Sequence, residues 1–175
     1  MLIVLAGLPG TGKSTLARAL AQETGAVWLR IDTIEQTLRE LPFAPESLDD
    51  AGYRIAQAVA ADNLRLGRTV IADSVNPWML TRDAWRDVGL RAGVPVVEVE
   101  VVCSDPDEHR RRVETRTPDV PGLDLPDWQA VIGRDYRPWT RGHAVIDTAG
   151  RTIGDCVAEM KTKTLRRIVD PPRLP

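Results

Sequence analysis

Leu2-Ile3-Val4-Leu5-Ala6-Gly7-Leu8-Pro9-Gly10-Thr11-Gly12-Lys13-Ser14-Thr15-Leu16-Ala17 joins an apolar run, a glycine-rich turn and the start of an amphipathic pattern. Leu2 to Ala6 are apolar without alternation, the pattern of a strand buried on both faces of a parallel sheet. From Lys13 to Gln22, Leu16, Ala17, Leu20 and Ala21 recur at helical spacing, and Gly25 marks the stop. Between them Gly7 to Ser14 satisfies G-x-x-x-x-G-K-[ST] at every position, in the strand-to-helix setting the motif requires. Glycines let the backbone wrap closely and aim successive N–H groups at phosphate oxygens, and the helix N-terminus adds its positive dipole. Lys13 brings a cation to the β- and γ-phosphates, and Ser14 can ligate magnesium. Gly7, Leu8, Pro9, Gly10, Thr11, Gly12, Lys13, Ser14 and Thr15 are therefore the candidate nucleotide-binding residues.

The chain has 175 residues, 43% of them hydrophobic and 27% charged, which suits one compact domain over 1–175. A net charge of -2 excludes histone-like, sequence-independent nucleic-acid binding. Lys13 is the only lysine before position 161, although 23 residues are basic. An arginine bias accounts for the other positions, whereas a slim ammonium is what a phosphate loop accepts. Cys103 and Cys156 are too few for a disulfide framework and read as buried, reduced thiols. No membrane-spanning run is present, and the apolar start reads as a core strand, so a cytoplasmic, membrane-free protein is expected.

Further strands are expected at 27–31, 69–72, 94–102 and 144–146, with helices between them. One helix should run from Trp128 to about Tyr136, a loop should occupy 42–50, and a proline-rich tail should follow the last helix. Regular alternation of strand and helix predicts a doubly wound α/β domain with right-handed crossovers. The expected sheet is five-stranded and parallel, of order 2-3-1-4-5 and flanked by helices. Ligands belong at the carboxyl ends of such strands. The glycine loop, Asp32 and Asp73 all fall on that edge.

A GTPase would need an Asn/Thr-Lys-x-Asp motif, which a chain without lysine from 14 to 160 cannot supply. Asp147-Thr148-Ala149-Gly150 imitates a D-x-x-G switch but lies on the last strand, so it reads as coincidence. An oligomeric AAA-type motor would need a strand ending in Asp-Glu, where here Asp73 precedes Ser74. The loop, Asp32, Ile71-Ala72-Asp73-Ser74-Val75-Asn76 and Arg112 to Arg116 resemble small P-loop kinases related to polynucleotide 5'-kinases, zeta-type toxins and chloramphenicol phosphotransferase. The resemblance covers nearly the whole chain. It implies transfer of the γ-phosphate of ATP, with Mg2+, to a hydroxyl, and an arginine-bearing lid over residues 105–142.

In such kinases an Asp at the position of Asp32 accepts the proton of the acceptor hydroxyl, as a carboxylate at that strand end can. Asp32-Thr33-Ile34-Glu35 also spells a capping box, compatible with that role. Polynucleotide kinases commonly carry Arg three residues after this Asp, where this chain has Glu35. Nucleic acid is thus the less favoured acceptor and a small molecule the favoured one, while a non-catalytic ATP-dependent switch is the alternative of another class. Asp73 reads either as a magnesium or substrate contact or as the start of a turn closed by Asn76-Pro77. Arg112 and Arg116, four apart, share a helix face and could close over phosphate. Arg82 reads as a solvated helix residue, with contact to an anionic substrate as the other possibility. Trp128, Tyr136 and Trp139 could line a substrate pocket under the lid, but their spacing favours one face of a helix packed in the core. The acceptor's identity and the oligomeric state are not legible.

Overall fold

The computed structural model describes residues 1–42 and 48–169, with side chains to residue 165. Most of the expected 42–50 loop, Pro45 included, and the proline-rich tail lie outside the described residues. The elements are β1 (Leu2–Ala6), α1 (Lys13–Thr24), β2 (Val27–Arg30), α2 (Ile31–Arg39), α3 (Ala51–Arg65), β3 (Val70–Asp73), α4 (Met79–Arg91), β4 (Val96–Val102), α5 (Pro106–Thr115), α6 (Trp128–Ile132), β5 (Ala144–Asp147) and α7 (Ile153–Val169). The five strands form one parallel sheet of order β2-β3-β1-β4-β5, the expected order of a P-loop NTPase fold. Leu2 pairs in register with Val70 on one side and Val96 on the other, which puts β1 at the centre.

Both faces of β1 are covered, and this is why its apolar run does not alternate. Ile3 and Leu5 pack with Leu16, Ala17 and Leu20 of α1 and Cys156, Val157 and Met160 of α7. Leu2 and Val4 point the other way, onto Ala56, Ala60 and Leu64 of α3 and Trp85 of α4. Both cysteines are buried free thiols, as expected. Because every strand runs the same way, the ends of β1, β2 and β3 bring the glycine loop, α2 and Asp73 to one edge.

Two local expectations are corrected. The helix after β2 starts at Ile31 with Arg30 as its N-cap, so Asp32 is not the cap and no capping box forms. Ile31 is buried against α3 and β1, and that packing draws it into the first turn. The expected Trp128–Tyr136 helix ends at Ile132, leaving Tyr136 and Trp139 in an irregular segment that covers β4. There Glu98 and Glu100 face away from Val97, Val99 and Val101. Arg141 donates to Glu98 at 2.7 Å, and Tyr136 donates to Glu100 at 2.8 Å.

Arg82 corrects both of its readings, since it is completely buried and neither solvated nor open to a substrate. Its guanidinium lies 4.1 Å from the Trp139 ring and 5.0 Å from that of Tyr136. It donates to the carbonyls of Asn76 at 2.8 Å and Arg137 at 2.9 Å, and to those of Pro77 and Pro138 at 3.3 Å. One side chain thus joins the turn after β3 to the segment that follows α6.

Candidate active site

The glycine loop is clamped from three sides. Gly7, with φ 135°, sits against the end of β4, where an added Cβ would fall 2.1 Å from the Val101 carbonyl oxygen. Gly10, with φ 85°, sits against α5, where a Cβ would fall 2.5 Å from Val113 Cγ2. Neither place admits another residue without displacing backbone or core. His109 Nε2 lies 2.8 Å from the Pro9 carbonyl, placed to donate to it. From the third side the Thr148 hydroxyl lies 3.0 Å from the Thr11 carbonyl. Thr148 belongs to the Asp-Thr-Ala-Gly stretch that resembled a switch, and its position gives that stretch a buttressing role. His109 carried no signal in the sequence, because nothing local places α5 over the loop.

Within the loop, Lys13 Nζ donates to the Leu8 carbonyl at 3.0 Å. Lys13 is buried, which lowers the pKa of its ammonium, while Asp73 and Asp32 oppose that fall. Asp73 closes β3 at 3% exposure and accepts from Trp28 Nε1 at 3.2 Å. Burial raises its carboxyl, opposed chiefly by Lys13 and then by the Ser14 hydroxyl. The charged forms of Lys13 and Asp73 therefore support each other in a dry setting. This carboxylate addresses the loop. The turn beyond it is held instead by Asn76, whose φ is 46° and whose Nδ2 donates to Leu5 at 2.7 Å.

Asp32, in the first turn of α2, opens with Lys13, Ser14 and Asp73 onto a cleft of about 1040 Å³. Arg112, Arg116 and Arg134 line it as well. The two lid candidates differ in kind. Arg112 is tied to Thr148 Oγ1 at 2.8 Å and to Glu108 at 2.6 Å. Arg116 lies one residue past the end of α5, on extended backbone, so it does not continue the helix face of Arg112. Its Nε and Nη2 are buried without a hydrogen-bond partner. Burial lowers its pKa, with the Asp32 charge opposing. Two buried donors without an acceptor, on a wall shared with Lys13, are a feature an anion would satisfy.

Residues beyond α5 close over α2. Arg30 donates bidentately to Asp119, both bonds at 2.8 Å, and a Cβ on Gly122 would fall 2.7 Å from Gln36 Nε2. Arg137 pairs with Asp135 and Arg141 with Asp83 and Glu98, so of Arg134, Arg137 and Arg141 it is Arg134 that lines the cleft. Arg110 is an exposed partner of Glu114. No helix among the described residues is long and apolar enough to cross a membrane.

A family model described as an AAA domain matches residues 2–132. An uncharacterized protein of Mycobacterium tuberculosis is 33% identical over 96 residues, which is 52% of this chain and 19% of that protein. The match thus spans about a fifth of that relative's length. Shikimate kinase 2 of Yersinia pseudotuberculosis is 30% identical over 126 residues, 67% of this chain and 72% of that enzyme. The structure of the Mycobacterium tuberculosis APS kinase in complex with AMPPNP and APS superimposes with a TM-score of 0.67 at 22% identity, over 94% of this chain and 96% of that one. That likeness establishes the shared fold.

Proposed function

The chain belongs to the family described as an AAA domain and has the P-loop fold, and from that premise we propose that it transfers the γ-phosphate of ATP to a hydroxyl of a small-molecule acceptor. The observation that carries this reading is the convergence of Lys13, Asp32, Asp73 and Arg116 on one cleft. A relative named for kinase activity, shikimate kinase 2, supports it. Within the family the chain is read as a kinase and not as an oligomeric motor, since β3 ends Asp73-Ser74 without the Asp-Glu pair.

The residues fit a nucleotide and its metal. Gly7 and Gly10 let the loop seat directly against β4 and α5, and Arg116 holds donors in need of an anionic acceptor. Ser14 and Asp73 are the residues that would hold Mg2+. Among the described residues no group of three or more His, Cys, Asp or Glu could hold a metal ion. A magnesium ion that keeps its waters and takes phosphate oxygens needs no such group. When bound, it supplies charge neutralisation across the β- and γ-phosphates.

Lys13 exchanges its bond to Leu8 for phosphate oxygens, and the clamped loop directs its N–H groups at them. Asp32 orients the acceptor hydroxyl and takes its proton as transfer proceeds. Arg116 neutralises charge gathering on the transferred group, and Arg112 faces the nucleotide from α5 while Glu108 and Thr148 hold it in place. Residues 105–142 act as the lid that keeps water from intercepting the phosphoryl group.

The test is ADP formation by the full chain with Mg2+, measured against nucleosides, sugars, aminoglycosides, other antibiotics and 5'-hydroxyl oligonucleotides. Acceptor-dependent turnover that Lys13→Ala abolishes supports the reading. ATP hydrolysis that no acceptor stimulates argues for a nucleotide-dependent switch instead.

A further inference from the structure

The wall of the cleft around α2 narrows the choice of acceptor. Glu35, one turn beyond Asp32, lines the cleft with its side chain 21% exposed. Packing holds it there, because Gly52 of α3 lies so close that a Cβ would fall 2.4 Å from Glu35 Cγ. Two arginines of this wall are already engaged by carboxylates, Arg39 by Glu35 at 3.4 Å and Arg30 by Asp119. Ser74, 5% exposed, also lines the cleft, beside the Tyr53 hydroxyl.

Trp78 adds an aromatic face to the same cleft and is 47% exposed. Its ring is fixed: the indole N–H donates to Asp135 at 3.0 Å, and Arg82 fastens the preceding turn. An exposed tryptophan held this firmly is pre-organised to stack on a flat face. The two carboxylates accept hydrogen bonds strongly from hydroxyl or ammonium donors. A carboxylate or phosphate in the same place would meet Asp32 with like charge and would have to compete with Glu35 for Arg39 and with Asp119 for Arg30, which discriminates against it.

We propose that the acceptor half of the cleft takes a ring bearing hydroxyl or amino groups and no anionic group, stacked on Trp78, with Glu35 as a specificity-determining residue. This rests on the reading of the cleft as a phosphotransfer site, but its claim about binding is testable without turnover. The probes are glucose, glucosamine and glucuronate, one ring shape in neutral, cationic and anionic form. Each is titrated into the full chain with AMPPNP by calorimetry.

Glucose and glucosamine should bind, with glucuronate weaker by at least about tenfold. Trp78→Ala should weaken both of the first two by about tenfold or more. Glu35→Arg should reverse the order of glucosamine and glucuronate. Gly52→Ala, at a residue outside the cleft, should weaken glucosamine by displacing Glu35 while the circular dichroism spectrum stays native. Glucuronate binding as tightly as glucosamine, variants that leave the order unchanged, or no binding of any probe overturns the proposal. Ordered binding without ADP formation from any acceptor would defeat the phosphotransfer reading alone.

Discussion

Arg82→Met keeps most of the length of the side chain and removes its charge and all of its donors. The bonds to Asn76 at 2.8 Å and Arg137 at 2.9 Å are the short ones. At about 2 kcal/mol each for a charged donor they contribute about 4 kcal/mol, and the longer pair is counted as nothing. Contact with the Trp139 and Tyr136 rings adds about 2 kcal/mol in this desolvated position. Removing a buried charge returns about 2 kcal/mol of its desolvation penalty. The net loss is about 4 kcal/mol, a large share of the 5 to 15 kcal/mol typical of a folded domain. With a urea slope of about 2 kcal/mol/M, the unfolding midpoint should fall by about 2 M. Arg82→Lys should recover little, because one ammonium cannot span carbonyls from two segments. Urea unfolding followed by tryptophan fluorescence measures both. A midpoint within about 0.5 M of the parent for Arg82→Met refutes the assignment of Arg82 as the joint between these segments.

Gly10→Ala forces a side chain into a left-handed φ and into Val113, so calorimetry should show nucleotide affinity reduced at least tenfold, with strain of about 1–3 kcal/mol. Thr148→Val keeps the shape but removes the hydroxyl shared with Arg112 and Thr11, which should cost about 1–3 kcal/mol in urea unfolding and raise the KM for ATP more than it lowers kcat. Burial raises the Glu35 pKa, so the folded state binds that proton more tightly than the unfolded chain does, and ionising Glu35 lowers stability as pH rises through the raised pKa. Glu35→Gln should therefore melt higher than the parent at neutral pH, with the gain fading as pH falls toward 4.5, and a gain that grows on acidification would contradict the assignment.

The central fold was legible because burial on both faces writes itself into β1 as Leu2-Ile3-Val4-Leu5-Ala6, and the loop motif is local. Alternation of strand and helix was enough to place the chain in the doubly wound class. Tertiary packing decided what was not legible. Asp32 and Glu35 have the spacing of a capping box, yet burial of Ile31 advances the helix start by two residues and converts both carboxylates into cleft residues. Arg82 looked solvated because charge alone says nothing of a distant irregular segment that folds across it. His109 and Thr148 were invisible as loop supports, since their partners lie 100 and 137 residues away. Arg112 and Arg116 had helical spacing, but α5 ends between them, so one is anchored and the other is left with buried, unpartnered donors.

The central claim is that Asp32 handles the acceptor hydroxyl in a cleft built for phosphoryl transfer. Once an acceptor is found, single-turnover transfer of labelled γ-phosphate by Asp32→Asn, set beside the nucleotide affinity of the same variant, tests it most directly. The transfer rate should fall by about 10²–10⁴-fold while affinity for ATP stays within about threefold of the parent. Transfer within about tenfold of the parent rate, or a loss of transfer matched by loss of nucleotide binding, would contradict it.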